Sequence, residues 1–183
     1  MTLYVGLENW IIYLLALAAT LALLCADGVT LRPARKELAR QLLWGIGLAF
    51  ALLVIVGAAL VWKNGVLNLN SWLFLPGKQR VAFFLFQLLV AVAEEGLFRV
   101  WLVRRLEGSL RGYAPAALVS ALLFALLHLI WNGIWFQFFV AFGIGTLFSL
   151  ALHRGKHCTA LSLILAHFLY DLAIVGVAGI WTP

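Results

Sequence analysis

Three groups of ionisable side chains lie in stretches of this sequence that are otherwise apolar. Carboxylates and imidazoles are the side chains that proteins use most for general acid–base catalysis, and they also bind metal ions and relay protons. A charge near the middle of a membrane costs about 2.5–3.5 kcal/mol on insertion scales, so such residues usually face a bundle interior and mark a working site. The six side chains are Glu94, Glu95, Arg99, His128, His167 and Asp171.

The spacing of these residues indicates which of them share a helix face. Glu95 and Arg99 are four residues apart and can form an ion pair along one face. Glu94 is turned by about 100° from Glu95 on an α-helix and can point elsewhere. We therefore expect one carboxylate to be neutralised and the other to be available for chemistry. His167 and Asp171 are also four apart, so both can face the same cavity.

The composition indicates the class of protein that must position these groups. Of the 183 residues, 65% are hydrophobic and 11% are charged, and the mean hydropathy is +1.06. A soluble domain of this composition would have too little polar surface. The sequence predicts an all-α, polytopic transmembrane helix bundle that forms a single domain over 1–183. The net charge of +6 comes from short loops and indicates membrane topology, not a nucleic-acid partner.

Six apolar segments are long enough to cross a bilayer as helices. The excess of Lys and Arg in alternate loops predicts that both termini lie outside the cytoplasm. Counted at 1.5 Å per residue from the cytoplasmic helix ends, the deep carboxylates and histidines lie about 12–21 Å into the membrane. Three helices therefore bring polar groups to a common depth. The predicted segments are 8–26, 42–62, 81–103, 114–131, 134–152 and 159–180.

Three motifs within these segments resemble those of the CPBP intramembrane proteases, which include CAAX prenyl endopeptidases and bacteriocin-processing proteins. They are Glu94-Glu95-Gly-Leu-Phe-Arg99, Phe124-Ala-Leu-Leu-His128 and His167-Phe-Leu-Tyr-Asp171. The resemblance covers about residues 80–180 as a catalytic core and leaves 1–79 as an N-terminal two-helix extension. Two positions depart from the family pattern: Val100 replaces a common Gly, and Asp171 stands where the CAAX proteases have Asn.

The resemblance implies peptide-bond hydrolysis by a glutamate-activated water, with no cofactor and no metal. Glu94 would be the general base and His128 would help to hold the water. His167 and Asp171 would face the developing oxyanion. Glu95 and Arg99 would support the site as a buried pair.

Two other interpretations remain open. Glu94, Glu95, His128 and His167 are acceptable zinc ligands, and a zinc-bound water also hydrolyses peptides, although the His-Glu-x-x-His helix is absent. The same buried groups would also suit a membrane transporter or a non-enzymatic scaffold. The two cysteines, Cys25 and Cys158, are expected to be free thiols, because no framework of cysteine spacings surrounds them.

The expected partners are membrane lipid and a membrane-associated protein or peptide that is cut near one of its ends. A prenyl group, a bacteriocin leader or a C-terminal transmembrane sorting signal would each bring a substrate to such a site. The small chain and the lack of a soluble domain favour a dedicated C-terminal sorting or processing protease of the bacterial inner membrane over a general CAAX enzyme.

Overall fold

The computed structural model describes residues 6–29, 37–64 and 76–178, and these residues form helices joined by short connections. No strand occurs in these three ranges, so the predicted all-α class is confirmed. A bilayer core offers no water to backbone N–H and C=O groups, which explains why apolar segments of this length adopt helices. The helices are α1 (Leu7–Ala26), α2 (Leu38–Asn64), α3 (Gly77–Glu94), a π-helical segment (Glu95–Leu102), α4 (Val103–Ser109), α5 (Tyr113–Asn132), α6 (Trp135–Arg154) and α7 (Ala160–Ala178).

The helices agree with the six predicted segments, with differences at their ends. The α3 helix, the π-helical segment and α4 form one continuous helix of 33 residues, Gly77–Ser109, so the predicted segment 81–103 is too short. The α2 helix likewise begins at Leu38, before the predicted 42. Within the described chain, five helices are long and apolar enough to span a membrane, and the apolar part of α7, Ala160–Ile174, is shorter. The last two residues of the predicted segment 159–180 lie outside the described residues.

The long helix Gly77–Ser109 lies at the centre of the bundle. In its most apolar stretch 61% of the residues are buried, against 11% in α1. It contacts α1, α5 and α7, while α2 packs mainly on α7 and α6 packs mainly on α5. The π-helical segment in the middle of Gly77–Ser109 also contacts α6, so residues there are surrounded by four other helices.

Polar contacts fasten α2 to the start of α7 at their predicted cytoplasmic ends. The fully buried Gln41 accepts a hydrogen bond from the Thr159 hydroxyl through its side-chain oxygen, and one from Ser162 through its backbone oxygen. His157 lies 2.8 Å from Glu37, and this hydrogen bond lowers the pKa of the Glu37 carboxyl. Both cysteines are free thiols, as predicted, and burial raises the pKa of Cys158 to about 11.

The close packing of α2 on α7 depends on Gly45. A Cβ atom at Gly45 would lie 2.9 Å from the backbone oxygen of Ser162 and 3.0 Å from Leu165, whereas one at Gly47 would meet nothing within 4 Å. We expect Gly45→Ala to lower the melting temperature in detergent, because α2 and α7 must move apart. Gly47→Ala removes a glycine from the same helix and should leave the melting temperature unchanged or slightly raised. Equal effects of the two substitutions would contradict this account of the interface.

Candidate active site

The two adjacent glutamates lie where the central helix changes its hydrogen bonding. Glu94 is the last residue of α3, and Glu95 is the first residue of the π-helical segment. A π-helix bonds i to i+5 and occurs mostly as short insertions within α-helices, frequently at functional sites. Glu94 and Glu95 contact different nitrogens of the same imidazole, that of His167, and only Glu95 is paired with Arg99.

Glu95 is the innermost carboxylate of the cluster and is completely buried. Its Oε1 accepts a hydrogen bond from His167 Nδ1 at 2.7 Å, and its Oε2 lies 3.3 Å from Arg99 Nε. The guanidinium of Arg99 lies over the ring of Phe124, with its central carbon 3.9 Å from the ring centroid. The predicted Glu95–Arg99 ion pair is confirmed. The same Glu95 carboxylate also holds His167 by its Nδ1 atom.

Glu94 is also buried, and its two oxygens have different surroundings. Oε1 accepts a hydrogen bond of 2.8 Å from the hydroxyl of Tyr13 on α1. Oε2 lies 3.7 Å from His167 Nε2, which is an ion-pair distance, and accepts no hydrogen bond from the described residues. Oε2 is therefore the oxygen of Glu94 that is able to accept a proton from a bound molecule.

His167 is the centre of the cluster. Its Nε2 lies 3.3 Å from Asp171 Oδ2 and faces Glu94, while its Nδ1 is bound to Glu95. Three carboxylates thus surround one imidazole ring, with the guanidinium of Arg99 behind one of them. The rings of Phe124 and Phe148 meet the imidazole edge to face, each with centroids 6.4 Å away. These apolar walls strengthen the electrostatic interactions within the cluster because they keep the local dielectric low.

His128 is set apart from this cluster. Its Nδ1 lies 2.9 Å from the backbone oxygen of Phe124, one turn earlier on α5, and the side chain is half-buried. It forms no ion pair with a carboxylate of the described chain. The ring of Phe124 connects the two histidines, since its centroid is 4.4 Å from that of His128 and 6.4 Å from that of His167.

The structure thus brings five of the six predicted side chains into direct contact and leaves His128 one aromatic ring away. Two further side chains contact the cluster, although the sequence analysis gave them no role in the site. Phe124 was identified only as part of a motif, yet its ring contacts Arg99 and both histidines. Tyr13 comes from the helix that had no assigned role. The one feature of the sequence that bears on Tyr13 is its spacing of seven residues from Thr20, which places both on the same face of α1.

The described residues include no group of three His, Cys, Asp or Glu side chains arranged to hold a metal ion. The cluster is held together by hydrogen bonds and ion pairs among its own members.

Five helices of the described chain are long and apolar enough to span a membrane, and a buried cluster of carboxylates and an imidazole lies among them. These features define the protein as a multi-pass membrane protein. Residues 76–173, more than half of the chain, match the family described as Rce1-like type II CAAX prenyl endopeptidases. The chain belongs to this family, and it is accordingly a CAAX-type intramembrane endopeptidase that acts on a membrane-associated protein. Comparisons with curated proteins and with solved structures found no match.

Proposed function

We propose that the protein hydrolyses a peptide bond near one end of a membrane-anchored substrate, with Glu94 as the base that activates water. The observation that carries this proposal is the pair formed by Glu94 Oε2 and His167 Nε2. The two atoms face each other at 3.7 Å, and Oε2 accepts no hydrogen bond from the described residues. A base and a hydrogen-bond donor that lie side by side, so that both reach one reacting carbonyl, are the parts that this hydrolysis requires.

In the proposed reaction, Glu94 Oε2 removes a proton from water while the oxygen attacks the carbonyl carbon of the scissile bond. The carbonyl oxygen becomes an oxyanion and accepts a hydrogen bond from His167 Nε2. Collapse of the tetrahedral intermediate breaks the C–N bond, and the proton held by Glu94 passes to the leaving nitrogen. The products are a carboxylic acid and an amine, which become a carboxylate and an ammonium by proton exchange, and the carboxylate of Glu94 is regenerated.

The neighbours of His167 support its role as the donor. Glu95 accepts from Nδ1 at 2.7 Å and so fixes the ring plane, which leaves Nε2 directed toward Glu94 and Asp171. An imidazolium with N–H groups on both nitrogens would donate to Glu95 through one and to the oxyanion through the other. Asp171 either holds the N–H of Nε2 between turnovers or, when protonated, donates to the oxyanion itself.

We assign His128 to the binding of the attacking water. If Nδ1–H donates to the backbone oxygen of Phe124, the neutral ring carries its lone pair on Nε2, which accepts a hydrogen bond from water. Catalytic hydrogen bonds are often long before the substrate is bound. The position of His128 beside the cluster is therefore compatible with this role.

The site lies in the middle of the 33-residue central helix, which favours substrates that are themselves held in the membrane. A prenylated C-terminus and a C-terminal sorting segment with its own transmembrane anchor both meet this requirement. We further propose that the protein acts in the inner membrane of a bacterium as a dedicated processing or sorting protease.

The proposal is tested with purified protein in lipid vesicles and three peptides that share one cleavage region. One peptide carries a farnesylated CAAX end, one a C-terminal transmembrane segment, and one no anchor. We expect at least one anchored peptide to be cut about tenfold faster or more than the unanchored one, because the anchor concentrates it at the membrane. We also expect 1,10-phenanthroline and EDTA to leave the rate unchanged.

Each arm of this experiment has an outcome that contradicts the proposal. Inhibition by the chelators with recovery on addition of zinc would replace the glutamate mechanism by a zinc mechanism. Equal cleavage of anchored and unanchored peptides would contradict the membrane-held substrate. The relative rates of the two anchored peptides separate a CAAX enzyme from a sorting protease.

A further inference from the structure

Helix α1 packs against the central helix, Gly77–Ser109, at the level of the acidic cluster. Thr20 of α1 is 1% exposed, and its hydroxyl donates to Ala16 O on its own helix and lies 3.4 Å from Ala93 O, next to Glu94. A Cβ atom at Gly96 would lie 2.9 Å from the Thr20 methyl group. The absence of a side chain at Gly96 thus allows α1 to approach the π-helical segment closely.

A second contact lies two turns along the same face of α1. Tyr13 is seven residues before Thr20, and seven residues are close to two helical turns. Its ring packs edge to face on Phe86 of α3, with centroids 5.4 Å apart at 85°, and its centroid is 6.4 Å from that of Trp131 on α5. The ring of Trp10 also packs on Phe86, with centroids 5.2 Å apart. The Tyr13 ring is therefore held by aromatic neighbours from two helices.

The hydroxyl of Tyr13 contacts the one oxygen of Glu94 that His167 does not face. It donates to Oε1 at 2.8 Å, while Oε2 lies toward His167 Nε2 at 3.7 Å. A carboxylate held at one oxygen by a fixed donor cannot rotate freely about its terminal bond. Such outer contacts commonly determine the orientation of a catalytic group.

We propose that Tyr13 is a positioning residue of the active site, and that α1 is part of the catalytic unit although it lies outside the family match of residues 76–173. Tyr13 fixes the plane of the Glu94 carboxylate so that Oε2 faces the reacting water. The inference rests on the proposed function of Glu94 for its catalytic consequence. The contact between the Tyr13 hydroxyl and Glu94 Oε1, here called the clamp, can be measured independently of activity.

The clamp is tested by infrared spectroscopy of protein in lipid vesicles, with ¹³C-labelled glutamate. The Glu94 carboxyl band is identified by its loss in Glu94→Gln, and Tyr13→Phe removes the hydroxyl while keeping the ring. We expect Tyr13→Phe to shift the Glu94 band. Tyr113→Phe, which removes a hydrogen bond of 2.6 Å to Ser149 O in another part of the bundle, should leave that band unchanged.

The catalytic consequence is measured with the anchored peptide that the wild type cuts. We expect Tyr13→Phe to lower kcat by about 10-fold to 10²-fold with little change in KM, since misplacement of a catalytic group by about 1 Å costs up to that amount. Thr20→Val weakens the docking of α1 without touching Glu94 and should show a lower melting temperature with a smaller loss of kcat than Tyr13→Phe.

The two proposals fail in different ways. An unchanged Glu94 band in Tyr13→Phe overturns the clamp whether or not any peptide is cut. A shifted band with an unchanged kcat overturns the positioning role. If the wild type cuts none of the peptides, the proposed function fails, and a shifted band still establishes the contact between α1 and Glu94.

Discussion

Replacement of Glu94 by Gln is expected to lower the rate of peptide cleavage by about 10²–10⁴-fold, the usual contribution of a general base. The amide keeps the size of the side chain, and its oxygen is able to accept the hydrogen bond that Tyr13 now donates to Oε1. The bundle should therefore remain folded. What is lost is the oxygen that takes a proton from water, so kcat falls. The measurement is the rate of cleavage of the anchored peptides in vesicles.

The matched control is Glu107→Gln, which neutralises an exposed glutamate on α4, the last part of the same continuous helix. It should cleave at the wild-type rate. Wild-type cleavage by Glu94→Gln would show that Glu94 is not the base. The transporter and scaffold hypotheses would then be the ones to pursue.

The sequence was sufficient to predict contacts within one helix. Glu95 pairs with Arg99 and His167 with Asp171 because residues four apart meet on a helical turn. The helical class and most of the spans followed from the apolar runs. Counting along each helix predicts a common depth for these pairs, and the pairs do contact each other.

Contacts between helices were harder to predict. The hydrogen bond from His167 to Glu95 depends on how α7 packs on the π-helical segment, and no spacing in the sequence encodes that distance. Nor does any pattern in Glu95–Leu102 predict i to i+5 bonding. The role of Tyr13 could not be predicted, because this residue is uncharged and belongs to none of the three motifs.

The second large effect concerns Arg99, the largest of the fully buried side chains described in the protein. Arg99→Met is expected to lower the free energy of unfolding by about 3–5 kcal/mol, because it leaves the buried Glu95 carboxylate without its guanidinium. Methionine fills much of the same volume against Phe124, so a cavity is a minor part of the loss. The measurement is unfolding in mixed micelles, with the exposed Arg105→Met of the same continuous helix as the control.

A double-mutant cycle separates the ion pair from packing. Glu95→Gln removes the charge that Arg99 neutralises, so Arg99→Met should cost much less in that background than in the wild type. We expect a coupling of about 1–3 kcal/mol between the two sites. Additive losses would show that Arg99 stabilises the bundle through its contact with Phe124 rather than through Glu95.

Because Glu95 also holds His167 Nδ1, Arg99→Met should in addition lower kcat. Arg99→Met should therefore lower both stability and activity, because the Glu95–Arg99 pair lies behind the imidazole of His167.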